Sequence, residues 1–165
     1  MKSGASALSR AARWAALLLL LASLAGLILF ALAGTNSRLW ADDYCYSGFL
    51  SGRGFWQAQV DWWQTGGNRF ATLPLVAASD LLGVYAPAYL PAVLLILIFA
   101  GFACLLGVLF RAGWLFSLVS AAVFTYFLAF LAPDRIQTIY WRMGGLHYTF
   151  PLALLAFNLA LGLHA

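Results

Sequence analysis

Residues 90–110 read LPAVLLILIFAGFACLLGVLF, and residues 113–132 read GWLFSLVSAAVFTYFLAFLA. Neither stretch contains a charged side chain. An α-helix rises about 1.5 Å per residue, so about 20 apolar residues are enough to cross the hydrocarbon core of a bilayer. The two stretches therefore predict two membrane-spanning helices, joined by a very short connection at Arg111.

Charge-free stretches elsewhere in the chain predict two further spans, one at about 14–33 and one at about 148–165. Of all residues, 64% are hydrophobic and 8% are charged, and the chain contains no Glu. An ordinary soluble domain has about 25% charged residues. The composition excludes a soluble domain and predicts a single all-α domain over 1–165, a multi-pass transmembrane bundle of about four helices.

The first apolar stretch has a second interpretation. A basic N-terminus, an apolar core and Ala31-Leu32-Ala33 also fit a signal peptide with a small-residue cleavage site. About 20 uninterrupted apolar residues favour a helix that is retained in the mature protein. Under either interpretation, the chain after Gly34 lies on the non-cytoplasmic side.

The basic residues near the first span predict its orientation. Lys2, Arg10 and Arg13 precede it, whereas Arg38 after it is followed by two Asp. Loops rich in Lys and Arg stay on the cytoplasmic side of a membrane. We therefore expect an integral membrane protein with its N-terminus in the cytoplasm.

All the Asp residues fall in the two predicted outer loops, at about 34–89 and about 133–147. The first three predicted spans contain no Asp, Glu, Lys, Arg or His. Ion-coupled transporters usually place such groups inside the membrane, at a cost of about 2.5–3.5 kcal/mol each. The pattern argues against ion-coupled transport by these spans, and any chemistry must use the outer loops.

The long outer loop contains an amphipathic segment at 55–64. Trp56, Val60 and Trp63 recur at helical spacing and form an aromatic, apolar stripe. Aromatic-rich amphipathic helices lie in the membrane interface. We predict two interfacial helices that lie along the membrane surface, one here and a second, short one at about 74–82.

Three short motifs are spread over the outer loops. An acidic pair, Asp42-Asp43, stands in Trp40-Ala-Asp-Asp-Tyr-Cys-Tyr46. The sequence Gly67-Asn68-Arg69 follows the amphipathic segment. A later stretch reads Tyr140-Trp-Arg-Met-Gly-Gly-Leu-His-Tyr-Thr-Phe-Pro151.

A first transmembrane helix followed by an acidic pair and surface helices in a long outer loop resembles the N-terminal part of a GT-C type glycosyltransferase. Over about 38–151 the chain is most similar to an uncharacterised bacterial branch of such enzymes. That branch has an Asp-Asp-Tyr start, an Asn-Gly-Arg-like turn and a Tyr-Trp-x-x-Gly-x-x-x-Tyr-x-x-Pro stretch. The first and third motifs fit, whereas the turn departs from the pattern because its residues stand in a different order.

The resemblance implies an integral enzyme of the bacterial cytoplasmic (inner) membrane. Such an enzyme transfers a sugar from a polyprenyl-phosphate-linked donor to an acceptor hydroxyl on the non-cytoplasmic side. The hydroxyl attacks the anomeric carbon, a carboxylate acts as general base, and cationic donors stabilise the departing phosphate. We predict Asp43 or Asp42 as the base, with the other as a positioning group or metal ligand. The predicted substrate-binding residues are Arg69, Arg135, Arg142, His147 and Tyr148.

The same residues also have non-catalytic interpretations. The acidic pair can cap a helix or be solvated in a loop, and the arginines can anchor the chain to lipid head groups. The sequence has no metal-ligand cluster, phosphate-binding Gly loop or nucleophile motif. No cofactor is therefore certain, although a divalent metal is left open.

The alternative to an enzyme is a non-enzymatic multi-pass membrane protein, either a structural subunit or a transporter component. The expected partners are membrane lipid and the polyprenyl-phosphate sugar donor, and we expect no nucleic acid. Because residue 165 falls within an apolar stretch, we expect the chain to be the N-terminal part of a larger enzyme and inactive alone. The donor sugar, the acceptor and the oligomeric state are left open.

The predicted orientation places Cys45, next to the acidic pair, on the non-cytoplasmic side. In a Cys104→Ala background, a membrane-impermeant thiol reagent should label Cys45 in intact cells whose outer envelope is permeable to it. The measurement is the mass of the modified protein. Labelling that begins only after the inner membrane is opened would reverse the orientation.

Overall fold

In a computed structural model, the described residues are 2–65, 70–111 and 113–164. Within these ranges every regular element is a helix, and four helices are long and apolar enough to cross a membrane. These helices confirm the predicted all-α, multi-pass bundle. They also fit an integral membrane protein, whereas the orientation and the choice of membrane stay predictions.

The four long helices are α1 (Lys2–Gly34), α5 (Ala86–Phe110), α6 (Trp114–Leu131) and α8 (Phe150–His164). The α5 helix begins before the predicted residue 90, and the helical span that contains α8 reaches back to Arg142. α5 lies at the centre of the bundle, where it packs against α1, α6 and α8, and α1 also packs against α6.

Small residues allow the long helices to approach closely. A Cβ atom at Gly101 of α5 would lie 3.1 Å from the Ala153 carbonyl oxygen of α8. A Cβ atom at Gly34 of α1 would lie 2.6 Å from Cβ of Pro91 of α5. Lipid tails are as apolar as Leu, so membrane helices associate through such close packing rather than through a hydrophobic driving force.

The outer loop contains three short helices, α2 (Asp42–Leu50), α3 (Phe55–Thr65) and α4 (Leu73–Asp80). α3 and α4 correspond to the two predicted surface helices. α2 was not predicted, because nine residues with little apolar periodicity do not stand out from a loop. All three pack together, and α2 also contacts the later turn of helix at Arg142–Gly144, which we call α7.

The two faces of α3 have different surroundings. Trp56 and Trp63 are 78% and 62% exposed. Ala58 on the other face is fully buried, and the Trp62 ring packs on Tyr46 of α2 with their centroids 4.6 Å apart. The exposed tryptophans therefore form an outward apolar surface of the kind that membrane interfaces accept.

The predicted outer loop at 133–147 is largely helical. A π-helical turn at Ile136–Tyr140 leads into α7, and a second π-helical turn at Gly145–Thr149 leads into α8. Gly144 allows this compact arrangement, because a Cβ atom there would collide with the Gln137 carbonyl oxygen and lie 2.8 Å from its carbon. The sequence assigned 133–147 to an outer loop without a prediction of its helical form, because this contact lies beyond what local patterning can show.

We expect Gly144→Ala to destabilise the protein by at least ~1–3 kcal/mol, the typical cost of overpacking, since the obstructing atoms belong to the backbone. Gly162→Ala is the matched control, because a Cβ atom at that helical position would meet nothing within 4 Å. Thermal unfolding of both variants in the same detergent measures the difference. Equal midpoints would contradict the tight packing at Gly144.

Candidate functional site

The guanidinium of Arg142 lies at the centre of a polar cluster under the loop helices, and its side chain is fully buried. Its Nε donates to Asp43 Oδ1 over 3.4 Å. Its Nη2 donates to the Asp43 carbonyl oxygen over 2.9 Å and to Ser47 Oγ over 2.8 Å. Its Nη1 donates to Asp80 Oδ1 and to Ser79 Oγ. Arginine has five N–H groups, and here five acceptors surround them.

The Asp43 carboxylate is equally enclosed, with no exposed side-chain surface. Its Oδ1 accepts the Met143 backbone N–H over 3.2 Å as well as the Arg142 Nε–H. Its Oδ2 accepts the Trp40 backbone N–H over 2.9 Å. Burial raises the pKa of Asp43, although the Trp40 hydrogen bond and the Arg142 charge act in the opposite direction. Both oxygens are thus committed to partners inside the protein.

This cluster connects three elements that are distant in sequence. Asp43 and Ser47 lie one helical turn apart on α2, Ser79 and Asp80 end α4, and Arg142 begins α7. An apolar cluster packs around the same elements and contains Tyr46, Ala58, Leu73, Val76, Met143 and Leu146. The polar cluster and the apolar cluster around it therefore hold α2 and α4 against the beginning of the fourth span.

The chain is strained immediately before the acidic pair. Ala41 has φ 49° and ψ −118°, a conformation that costs a residue with a Cβ atom about 1–3 kcal/mol. The Asp43 backbone N–H donates to the Trp40 carbonyl oxygen over 3.0 Å and closes a tight turn around Ala41. The same turn brings the Trp40 N–H to the Asp43 carboxylate, so the strain fixes the position of that side chain.

Asp42 and Asp43 point to different surroundings, as expected for neighbours on a helix. Asp42 is exposed, whereas Asp43 is buried. Asp80 is intermediate, because 29% of its side chain is exposed while it contacts Arg142. The cluster thus contains one enclosed carboxylate and one that reaches the surface.

His147 lies beside the cluster. Its Nδ1 is 2.6 Å from the Met143 carbonyl oxygen, and its ring contacts Tyr46. A carbonyl oxygen only accepts hydrogen bonds, so Nδ1 carries a proton. Arg135 is exposed before the first π-helical turn, and Arg69 lies outside the described residues. Of the predicted substrate-binding residues, the structure thus brings Arg142 to the acidic pair and His147 next to it.

Tyr148 belongs to a different feature, an apolar groove of about 490 Å³. The groove lies among α5, α6, α8 and the π-helical turns, and its walls include Leu95, Phe124, Pro133 and Leu152. Its other polar groups are the hydroxyls of threonines on these elements. Tyr148 is 54% exposed and lies where this groove meets the outer end of the bundle.

No group of three or more His, Cys, Asp or Glu is placed to hold a metal ion within the part of the chain that the structure describes. The partners of Asp43 are N–H donors, which leave its oxygens little room for a cation. The suggestion that one member of the acidic pair binds a metal stays a prediction.

Three members of the cluster were not predicted: Ser47, Ser79 and Asp80. Ser47 stands four residues after Asp43, on the same face of a helix that was not recognised. Ser79-Asp80 ends a short helix, where such residues are usually solvated. A carboxylate in an outer loop of a chain with so few acids was the only signal that could have drawn attention to Asp80.

Comparison with protein-family models, with curated proteins and with solved structures finds no match. The functional argument therefore depends on the residues and geometry described above.

We expect Arg142→Met to destabilise the protein by about 3–5 kcal/mol, because it leaves the Asp43 carboxylate buried without its cation. Arg53→Met is the matched control. Arg53 pairs with Asp61 over 3.5 Å at the surface, and exposed pairs contribute at most ~1 kcal/mol. Thermal unfolding in one detergent compares the two. A loss for Arg142→Met no larger than that for Arg53→Met would show that the cluster is not a stabilising element.

Proposed function

We propose that this protein is a membrane glycosyltransferase that moves a sugar from a polyprenyl-phosphate-linked donor to an acceptor hydroxyl on the non-cytoplasmic side. The observation that carries the proposal is the charged cluster of Asp43, Arg142 and Asp80. It places carboxylates at the junction between interfacial helices and the apolar bundle. A sugar linked to a lipid phosphate has its reacting bond at this depth.

The surroundings of the cluster suit a substrate that is partly lipid and partly polar. The exposed face of α3 carries Trp56 and Trp63, which favour the membrane interface. The apolar groove beside Tyr148 has room for part of an isoprenoid chain. Arg135, Tyr148 and His147 lie at the outer end of the bundle, where a phosphate would be held.

The acidic pair has a divided role in this proposal. Asp42 is exposed and available to a substrate. Asp43 is enclosed and acts by holding the Arg142 guanidinium in place. With five internal acceptors, Arg142 has no N–H left for a phosphate in this conformation. Arg142 therefore supports the site, and Arg69 and Arg135 are the better candidates for phosphate contact.

The same saturation of Arg142 favours a second candidate function, a structural membrane subunit in which the cluster serves only stability. A scaffold and an enzyme differ in whether the carboxylates are needed for more than folding. The two are separated by measuring transfer and folded yield on the same samples.

We expect Asp42→Asn/Asp43→Asn to reduce sugar transfer at least about 10²-fold, because the change removes both the exposed carboxylate and the one that holds Arg142. This is the lower range for a site whose general-base catalysis is impaired. Native membranes that contain the full-length protein, supplied with a radiolabelled polyprenyl-phosphate sugar, give the rate, normalised to folded protein. Asp61→Asn is the control, since Asp61 lies at the surface with Arg53 and Gln57 and should leave transfer unchanged. Full transfer by the double variant would reject the acidic pair, and no transfer by the wild-type protein would favour the structural subunit.

A further inference from the structure

The two carboxylates on Arg142 differ in what remains available to a ligand. Asp43 has no exposed side-chain surface and both of its oxygens accept hydrogen bonds from the protein. Asp80 is 29% exposed, and its Oδ1 alone accepts hydrogen bonds, from Arg142 and from Ser47 Oγ over 3.0 Å. Among the described residues, none donates to Asp80 Oδ2.

We propose that Asp80 is the carboxylate that binds the acceptor hydroxyl and takes its proton, and that Asp43 and Arg142 are positioning residues that hold Asp80 in place. This assignment rests on the glycosyltransferase function proposed above. It differs from the sequence-based prediction, in which the base is Asp43 or Asp42.

Asp80 suits the role of general base because one of its carboxylate oxygens, Oδ1, is held in place by the protein. Arg142 Nη1 and Ser47 Oγ hold Oδ1, so the side chain loses little rotational freedom when a substrate binds. Positioning of this kind lets a general base act without reorganising. Asp43 contributes by accepting hydrogen bonds from Nε and Nη2 of Arg142, which keeps the guanidinium in place.

The position of Asp80 along the chain suits a lipid-linked donor. The next residues run into α5 and carry strongly exposed apolar side chains: Leu81, Leu82, Val84 and Tyr85. Asp80 therefore lies where the polar cluster meets a surface that contacts lipid. A sugar at the head of a lipid phosphate would meet an acceptor from the aqueous side at this boundary.

The remaining described carboxylates lack this combination. Asp61 is held by Arg53 and Gln57 on the outer side of α3. Asp134 accepts the Gln137 backbone N–H and serves as a helix cap. Asp42 is exposed but has no hydrogen bond that fixes its side chain among the described residues.

The step balances without a further reactant. The acceptor oxygen forms a bond to the anomeric carbon while the bond from that carbon to the lipid phosphate oxygen breaks. The electron pair of the broken bond leaves on the phosphate, and the hydroxyl proton moves to Asp80 Oδ2. The products are the glycoside and the lipid phosphate.

The first test measures accessibility in the wild-type protein and needs no activity. Membranes are treated with a water-soluble carbodiimide and an amine, and modified carboxylates are mapped by mass spectrometry. We expect Asp80 to be modified and Asp43 to stay unmodified, with Asp42 as the exposed reference. An Asp80 that resists modification under conditions that modify Asp42 would overturn the assignment.

The second test measures transfer with the polyprenyl-phosphate sugar used above. Asp80→Asn retains an oxygen that accepts from Arg142 but cannot take a proton, so kcat should fall about 10²–10⁴-fold while the donor KM stays within a few-fold. Asp80→Glu, which keeps a carboxylate, should recover part of the rate. A purely structural role would instead lower folded yield for both variants and leave kcat per folded molecule unchanged.

The outcomes separate this inference from the function on which it rests. Transfer by the wild-type protein that survives Asp80→Asn at full kcat would overturn the role of Asp80 and leave the glycosyltransferase standing. Absence of transfer by the wild-type protein, even with Asp80 reactive toward carbodiimide, would overturn both. Loss of transfer in Asp80→Asn at normal folded yield, with Asp61→Asn unaffected, supports the proposal.

Discussion

The burial of the Arg142 guanidinium is the constraint on which the outer half of this protein depends. Removing a charge from water costs several kcal/mol, and the cost is offset only when the charge is paired and its donors are satisfied. Five acceptors on α2 and α4 meet this requirement. Because they come from segments about 60–100 residues away, satisfying one side chain determines how three helices are assembled.

The same requirement explains why the side chains of the polar cluster are held in fixed positions. Asp43 is fixed from both sides, by the strained turn at Ala41 and by Arg142. Asp80 shares the guanidinium but retains exposed surface. One buried cation thus holds both an enclosed carboxylate and an accessible one in place.

The bilayer sets the rest of the architecture. Large apolar side chains such as Leu29, Ile96 and Leu161 are exposed on the long helices, as expected where lipid is the solvent. Contacts between these helices depend on Gly and Ala instead, with Gly101 against Ala153 as one example. Glycine has a second use at Gly144, where it lets two π-helical turns pack against each other and deliver Arg142 to the cluster.

The sequence by itself determined the transmembrane helices, the amphipathic helix α3 and the short helix α4, because span length and helical periodicity are local properties of the chain. It also indicated Asp43 and Arg142 as candidates, since charged residues are rare here. The tertiary structure decided that they are partners, that Asp42 faces outward, and that Asp80 completes the cluster. It also showed that residues 136–149 are largely helical. Each of these depends on contacts between distant segments, and the energy of burying a charge is known only once the surrounding groups are in place.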